Sequence, residues 1–178
     1  GFVKAATRKG IFTLMSSNGH FFSKQLSKQV VEAGLNKLIV SVDGLSQATY
    51  EQYRINGELK KVEQGLLNLR AAKKEAKSRL PKIVVQFIVF KHNEHEVEGV
   101  KAWAKAHGVN AVQIKTAQVY NHREGHALLP ENPKYARYKK RNGVYEIKNK
   151  LFNHCWRLWS SSVITWDGKV VPCCFDKD

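Results

Sequence analysis

No cysteine precedes residue 155 in this 178-residue chain, and its three cysteines, Cys155, Cys173 and Cys174, are crowded near the end. An odd count without framework spacing argues against a disulfide-stapled secreted fold and favours a reducing compartment, the cytoplasm. No apolar run approaches the roughly 20 residues of a membrane span, so no membrane partner is expected. No leader pattern is visible at the first residues, although a start further upstream would hide one. Low-complexity tracts are absent, and no repeat exists beyond an alternation of strand and helix patterns. Acidic residues are few, with Asp+Glu 15 against Lys+Arg 30 and a net charge of +15. Such an excess attracts polyanions, yet no RNP, KH or zinc-finger signature accompanies it. The basic residues are spread over faces instead: Lys60, Lys61, Arg70, Lys73, Lys74, Lys77 and Arg79 on one helix, and a second set within residues 134–141. Solvated lysine-rich faces account for them better than a nucleic-acid site does. An anionic substrate stays open.

What is present reads as α/β. With 43% hydrophobic residues the chain has enough apolar surface for a core. Residues 2–9 read as a helix ended by Gly10. Residues 11–15 are a short apolar run, expected as a strand buried on both faces. Ser23 is placed to cap a helix whose Leu26, Val30 and Ala33 face inward. Residues 37–44 read as a second buried strand, and Ser46 caps a short helix carrying Tyr50 and Tyr53. Leu59, Val62, Leu66 and Leu69 form one stripe of a long helix. Residues 83–90 are a third strand. Asn93 and Glu96 have capping-box spacing, ahead of a helix with Val97, Val100 and Ala104 inward. Residues 109–116 make the fourth strand. This alternation predicts βα units around a parallel sheet. Residues 119–150 are polar and aromatic, with a short helix expected over 133–140, and read as a bridge.

Ligands of parallel βα folds sit at the carboxyl ends of the strands. The polar groups there are Ser17 and Asn18, Ser41 and Asp43, Gln86, and Lys115 and Thr116. Turn chemistry is the competing explanation for each taken alone. Further on, Asp167-Gly168 between two apolar runs is a hairpin signal, which would draw Cys155 and Cys173 together. Converging thiols outside a disulfide framework point to a metal or an iron–sulfur cluster. Cys174 alternates to the opposite strand face from Cys173, which makes Cys173 the favoured ligand of the adjacent pair. Trp156, Trp159 and Trp166 are expected to pack around that hairpin. His92-x2-His95 and His122-x3-His126 lack a Cys-x2-Cys partner, so the zinc-finger template fails.

Cys155, twelve residues, Gly168, four residues and Cys173 resemble the opening of a SPASM domain, the auxiliary-cluster domain of many radical S-adenosylmethionine (SAM) enzymes. Ser16-Ser17-Asn18-Gly19 resembles the TTNG strand end of those enzymes, and Ser41-Val42-Asp43-Gly44 their SLDG strand end. The resemblance implies strands three to six of a partial (β/α) barrel over residues 1–118, the bridge over 119–150, and the start of a SPASM β-hairpin region over 151–178. It implies a fragment cut at both ends, since the family's Cys-x3-Cys-x2-Cys loop and its later cysteines are missing. By the same likeness Ser41 hydrogen-bonds the SAM methionine moiety, Arg54 pairs with the SAM carboxylate, and the backbone near Thr116 and Ala117 lies by the adenine. Cys155, Cys173 and Cys174 belong to an auxiliary four-iron four-sulfur cluster. The implied activity is reductive cleavage of SAM to a 5′-deoxyadenosyl radical that abstracts hydrogen from a peptide or small metabolite, with flavodoxin or ferredoxin as reductant. The fragment alone is expected to be inactive. The alternatives are a basic α/β polyanion-binding module and a non-catalytic scaffold whose cysteines are structural or bind zinc.

Overall fold

The computed structural model describes residues 1–149 and 155–173. Contacts divide the chain into two units, Gly1–Glu146 and Ile147–Asp178. The first unit is built on four strands, β1 (Leu14–Ser17), β2 (Lys37–Ser41), β3 (Lys82–Val89) and β4 (Ala111–Thr116), in that spatial order. All three neighbouring pairs are parallel. The helices are α1 (Phe2–Arg8), α2 (Lys24–Glu32), α3 (Gln47–Glu51), α4 (Leu59–Glu75) and α5 (Val100–Ala106). The expected βα alternation is thus observed, as a parallel sheet with helical connections.

The core lies on one face of that sheet. Successive strand residues point to opposite faces, and the buried set follows this parity: Leu38, Val40 and Val42 from β2 and its end, with Ile83, Val85, Phe87 and Val89 from β3. Leu59, Val62, Leu66 and Leu69 of α4 join the same cluster, which is the stripe its 3.6-residue period requires. The first turn of α4 is satisfied from outside, by Gln47 Oε1 accepting from Leu59 N at 2.8 Å. Ser23 caps α2 through Leu26 N at 3.1 Å. The buried positions of α2 are Ser27 and Val31, however, and Leu26 is exposed. Of the expected inward residues, Val30 packs half-buried against the core and Ala33 is half-buried, whereas Leu26 is not turned inward.

Three expectations are corrected. The apolar run at 11–15 is not a doubly buried strand. β1 begins at Leu14, and Ile11, Phe12, Leu14 and Met15 are all exposed. The reason is position: β1 is an outer strand with β2 as its one neighbour among the described residues. The helix expected over 133–140 is absent. Its place is taken by β5 (Tyr138–Arg141), which forms a two-stranded sheet with β6 (Val144–Ile147). Asn142 and Gly143 between them have φ of 50° and 82°, the left-handed pair that a two-residue hairpin turn needs. Asn93 and Glu96 do not form a capping box. Asn93 is fully buried, and its side chain bonds elsewhere.

The second unit contains α6 (Arg157–Ser160) and an antiparallel pair, β7 (Val163–Ile164) with β8 (Val170–Val171). The turn between these strands closes by Thr165 N donating to Lys169 O at 2.9 Å and Gly168 N to Thr165 O at 3.0 Å. Gly168 supplies the positive φ, 85°. Trp156, Trp159 and Trp166 do not pack around this hairpin; they are 77%, 84% and 99% exposed. Among the described residues, two-residue strands and one helical turn offer no second layer against which an indole can be buried. Among the described residues no helix is long and apolar enough to cross a membrane.

Candidate cofactor site at the strand ends

Register sorts the polar strand-end residues by face. Ser41 lies opposite Gln86, and Gln86 opposite Gln113, so these three form one lateral row on the face away from the helical core. Ser16, the register partner of Ile39, shares that face. Ser17 pairs with Val40 and Thr116 with Val89, which puts both on the helix-side parity. The structure therefore brings Ser41 and Gln86 together and adds Gln113, while Ser17 and Thr116 stand apart from them. Ser17 and Asn18 are engaged locally. Ser17 Oγ accepts from Gly19 N at 3.1 Å, and Asn18 Oδ1 from His20 N at 3.2 Å, the side-chain turns that such residues make for themselves.

Asp43 is the buried centre of the site, with no exposed surface. Its Oδ1 accepts from Ile88 N at 2.7 Å. Its Oδ2 accepts from Arg54 Nε at 2.8 Å and Arg54 Nη2 at 2.5 Å. Burial pushes the Asp43 carboxyl above the usual carboxylate range, against the opposing pull of Arg54 and the Ile88 N–H. Arg54 thus presents one edge of its guanidinium to Asp43. Nη1 and the outer N–H of Nη2 have no partner among the described residues.

Arg54 also lines an open depression of about 460 Å³, together with Asn18, His20, Tyr50, Glu58 and Lys61. Two buried polar atoms there lack partners among the described residues, Tyr50 Oη and His20 Nδ1. His20 Nε2 accepts from Glu58 N at 3.0 Å, so its proton resides on Nδ1, a donor without an acceptor. Burial raises the Tyr50 phenol above its ordinary value, which keeps it protonated and a donor at neutral pH. A guanidinium edge, a phenol and an imidazole N–H make this depression suited to a ligand rich in acceptors, such as a carboxylate. Tyr50 and His20 carry no signature in the sequence that separates them from packing residues.

Behind Arg54 runs a ring stack. Arg54 Cζ sits 5.2 Å from the Tyr53 ring centroid, Tyr53 is 4.3 Å from Phe90, and Phe90 stacks on His92 at 5.4 Å. His92 Nε2 is buried without a partner among the described residues. Burial lowers the His92 pKa, outweighing the opposing pull of Glu96 and Asp43, and His95 adds to the lowering. The sign follows from linkage. A histidine depressed in the fold contributes stability in full above its unfolded value of about 6.5, lost as pH falls from there towards the folded value. Melting temperature is therefore expected to drop between pH 7.5 and 5.5, and less in His92→Phe, which keeps the stack and removes the titration. An equal drop in both proteins would exclude His92 as the source.

Of the cysteines, Cys155 is exposed ahead of α6 and Cys173 is half-buried after β8. Cys174 lies outside the described residues. No cluster of three or more His, Cys, Asp or Glu able to hold a metal exists among the described residues. On α4 the basic side chains Lys60, Lys61, Arg70 and Lys74 are exposed, while Lys77 and Arg79, expected on the same helix, lie exposed beyond its end. Lys73 departs from this solvated face, with Nζ donating to Pro81 O at 2.8 Å and to Asn110 Oδ1 at 3.3 Å.

Residues 155–178 match the SPASM family, an iron-sulfur cluster-binding domain. Over 197 aligned residues the chain is 23% identical to the GTP 3',8-cyclase of Aliarcobacter butzleri (strain RM4018). That alignment takes in 96% of this chain and 58% of the relative, so the chain spans a little over half the length of the curated protein it matches. Both likenesses support a protein of the radical SAM/SPASM type.

Proposed function

We propose that these residues belong to a radical SAM enzyme in which the parallel sheet is part of a (β/α) barrel and binds SAM at its carboxyl-end rim. The observation that carries this reading is the half-used Arg54 guanidinium. Asp43 holds its Nε–Nη2 edge, and the remaining N–H groups stay available for a bidentate pair with the SAM carboxylate. Tyr50 Oη and His20 Nδ1, both buried and unpartnered, fit the same acceptor-rich group. Ser41 and Gln86, with Gln113 beside them in register, would hydrogen-bond the methionine and ribose portions, and backbone near Thr116 the adenine. Ser17 and Asn18 shape the turn that carries His20.

The thiols of Cys155 and Cys173, with Cys174, are the right donors for an auxiliary four-iron four-sulfur cluster, supplying up to three of the usual four. No residue before Cys155 can supply thiolates for a SAM-binding cluster, so these 178 residues alone are expected to form no 5′-deoxyadenosine. SAM with a reduced cluster would supply radical hydrogen-abstraction chemistry at this rim. The chain's own part is to orient the ligand through Arg54 and the Ser41–Gln86–Gln113 row. A peptide or small metabolite is the substrate, and an electron carrier such as flavodoxin or ferredoxin the reductant.

The test uses the full-length protein purified without oxygen. Iron and sulfide in equal amounts are expected, with 5′-deoxyadenosine formed on reduction in the presence of SAM. Cys155→Ser with Cys173→Ser is expected to lower iron by about one cluster per chain. Zinc in place of iron, or an iron-replete protein that never forms 5′-deoxyadenosine, would overturn the reading.

A further inference from the structure

We propose that Asn93 is a positioning residue that fixes the direction of the Arg54 guanidinium, acting through Asp43. The inference rests on the reading that Arg54 pairs with the carboxylate of SAM. Asn93 sits in the loop after β3, 50 residues from Asp43, and is completely buried. Each of its amide groups is used. Oδ1 accepts from Phe90 N at 2.7 Å, and Nδ2 donates to Asp43 O and to Ile88 O, each at 2.9 Å. Ile88 closes the loop by donating its own N–H to Asp43 Oδ1 at 2.7 Å. Asp43 is therefore held twice, at its carbonyl by Asn93 and at its carboxyl by Ile88, and Asn93 also holds Ile88. Glu96 Oε2 adds a second tie from the same loop, accepting from Leu45 N at 2.8 Å.

This arrangement leaves Asp43 Oδ2 with one orientation, and both Arg54 bonds end on that single oxygen. The direction of the free guanidinium edge is thus inherited from Oδ2. A buried asparagine that served the fold alone could tie any two strand ends. This one ties the two residues, Asp43 and Ile88, whose mutual hydrogen bond sets the carboxylate that holds Arg54. Without the amide, Asp43 O loses its buried donor and the peptide after Asp43 is released to turn. The carboxylate and the guanidinium then lose their common frame, although neither has been altered.

The experiment measures dissociation constants on the full-length, cluster-loaded protein with two probes. S-adenosylhomocysteine carries the aminocarboxylate, and 5′-methylthioadenosine lacks it. Asn93→Ala is expected to weaken S-adenosylhomocysteine about tenfold, the worth of one charge-assisted hydrogen bond, and to change 5′-methylthioadenosine by less than about twofold. Arg54→Lys, which keeps the charge and removes the fork, is expected to show the same selectivity. Adding Asn93→Ala to Arg54→Lys is expected to cost no more than about a further twofold, because residues acting through one contact are not additive. Should Asn93→Ala fail to fold, Asn93→Ser carries the same cycle. Equal weakening of both probes, or full additivity in the double variant, overturns the role of Asn93 while leaving Arg54 in place. No effect of Arg54→Lys on S-adenosylhomocysteine overturns the carboxylate reading, and this inference with it.

Discussion

Arg54→Ala is expected to destabilise the folded protein by about 3 kcal/mol at neutral pH, the lower end of the cost of breaking a buried ion pair. The charge left behind is the reason. Asp43 has no exposed surface, whereas the Arg54 side chain is 27% exposed and partly solvated. Removing the guanidinium strands a carboxylate whose remaining protein donor is Ile88 N. The consequence is a pH signature. Burial already raises the Asp43 carboxyl, and Arg54 is the largest of the influences that lower it. In the variant the folded-state pKa climbs further above the unfolded value of about 3.9. A group raised in the fold has its stabilising contribution in full below the unfolded value, and loses it as pH rises through the folded value. The deficit of Arg54→Ala is therefore expected to shrink on going from pH 8 to pH 5 in urea denaturation. Asp43→Asn in the same background removes the charge and keeps an oxygen for Ile88 N, so most of the loss at pH 8 should return. A deficit independent of pH, unrelieved by Asp43→Asn, would place the damage elsewhere.

The parts of the fold that local chemistry decides were legible in the sequence. Ile83 to Val85 can only be a strand interior, Leu59, Val62, Leu66 and Leu69 can only be one helix face, and their alternation implies parallel pairing. The candidate site was legible as a set of polar strand ends but not as contacts. Ser17 and Asn18 at a strand end look alike whether they serve a ligand or their own turn, since short polar side chains reach neighbouring N–H groups equally well. Register decided which polar residues share a face, and it is a tertiary property, so Gln113 was missed although it stands in the row with Ser41 and Gln86. Asn93 followed by Glu96 has the spacing of a capping box, yet a partner 50 residues away claims its amide. In the bridge, Asn142-Gly143 carried a true hairpin signal. It was masked because Lys139, Lys140 and Arg141 lack the apolar alternation that marks a strand.

Gly44→Ala is expected to be as damaging as the loss of Arg54, for a steric reason. A Cβ on Gly44 would lie 2.4 Å from Tyr50 N, 2.6 Å from Tyr50 Cα and 2.8 Å from Thr49 C. All three are backbone atoms of α3, so no rotamer change can relieve the overlap. The helix must move as a body, and it carries Tyr50, which has no exposed surface and leads directly into Arg54. Overpacking of this kind costs about 3 kcal/mol or more where only the backbone can yield. Gly143→Ala is the matched contrast. Gly143 also resists a side chain, through its φ of 82°, but nothing lies within 4 Å of the added Cβ. Its cost should stay near the ~1–2 kcal/mol of a left-handed residue. Urea midpoints of the two variants separate the causes, and S-adenosylhomocysteine affinity adds a second discriminator. On the proposed pairing of Arg54 with the SAM carboxylate, moving α3 displaces Arg54, so Gly44→Ala should weaken the ligand even where the protein remains folded, while Gly143→Ala leaves it unchanged. Equal affinities in both would mean that α3 shifts without carrying Arg54, and that the Asp43 pair alone sets the guanidinium.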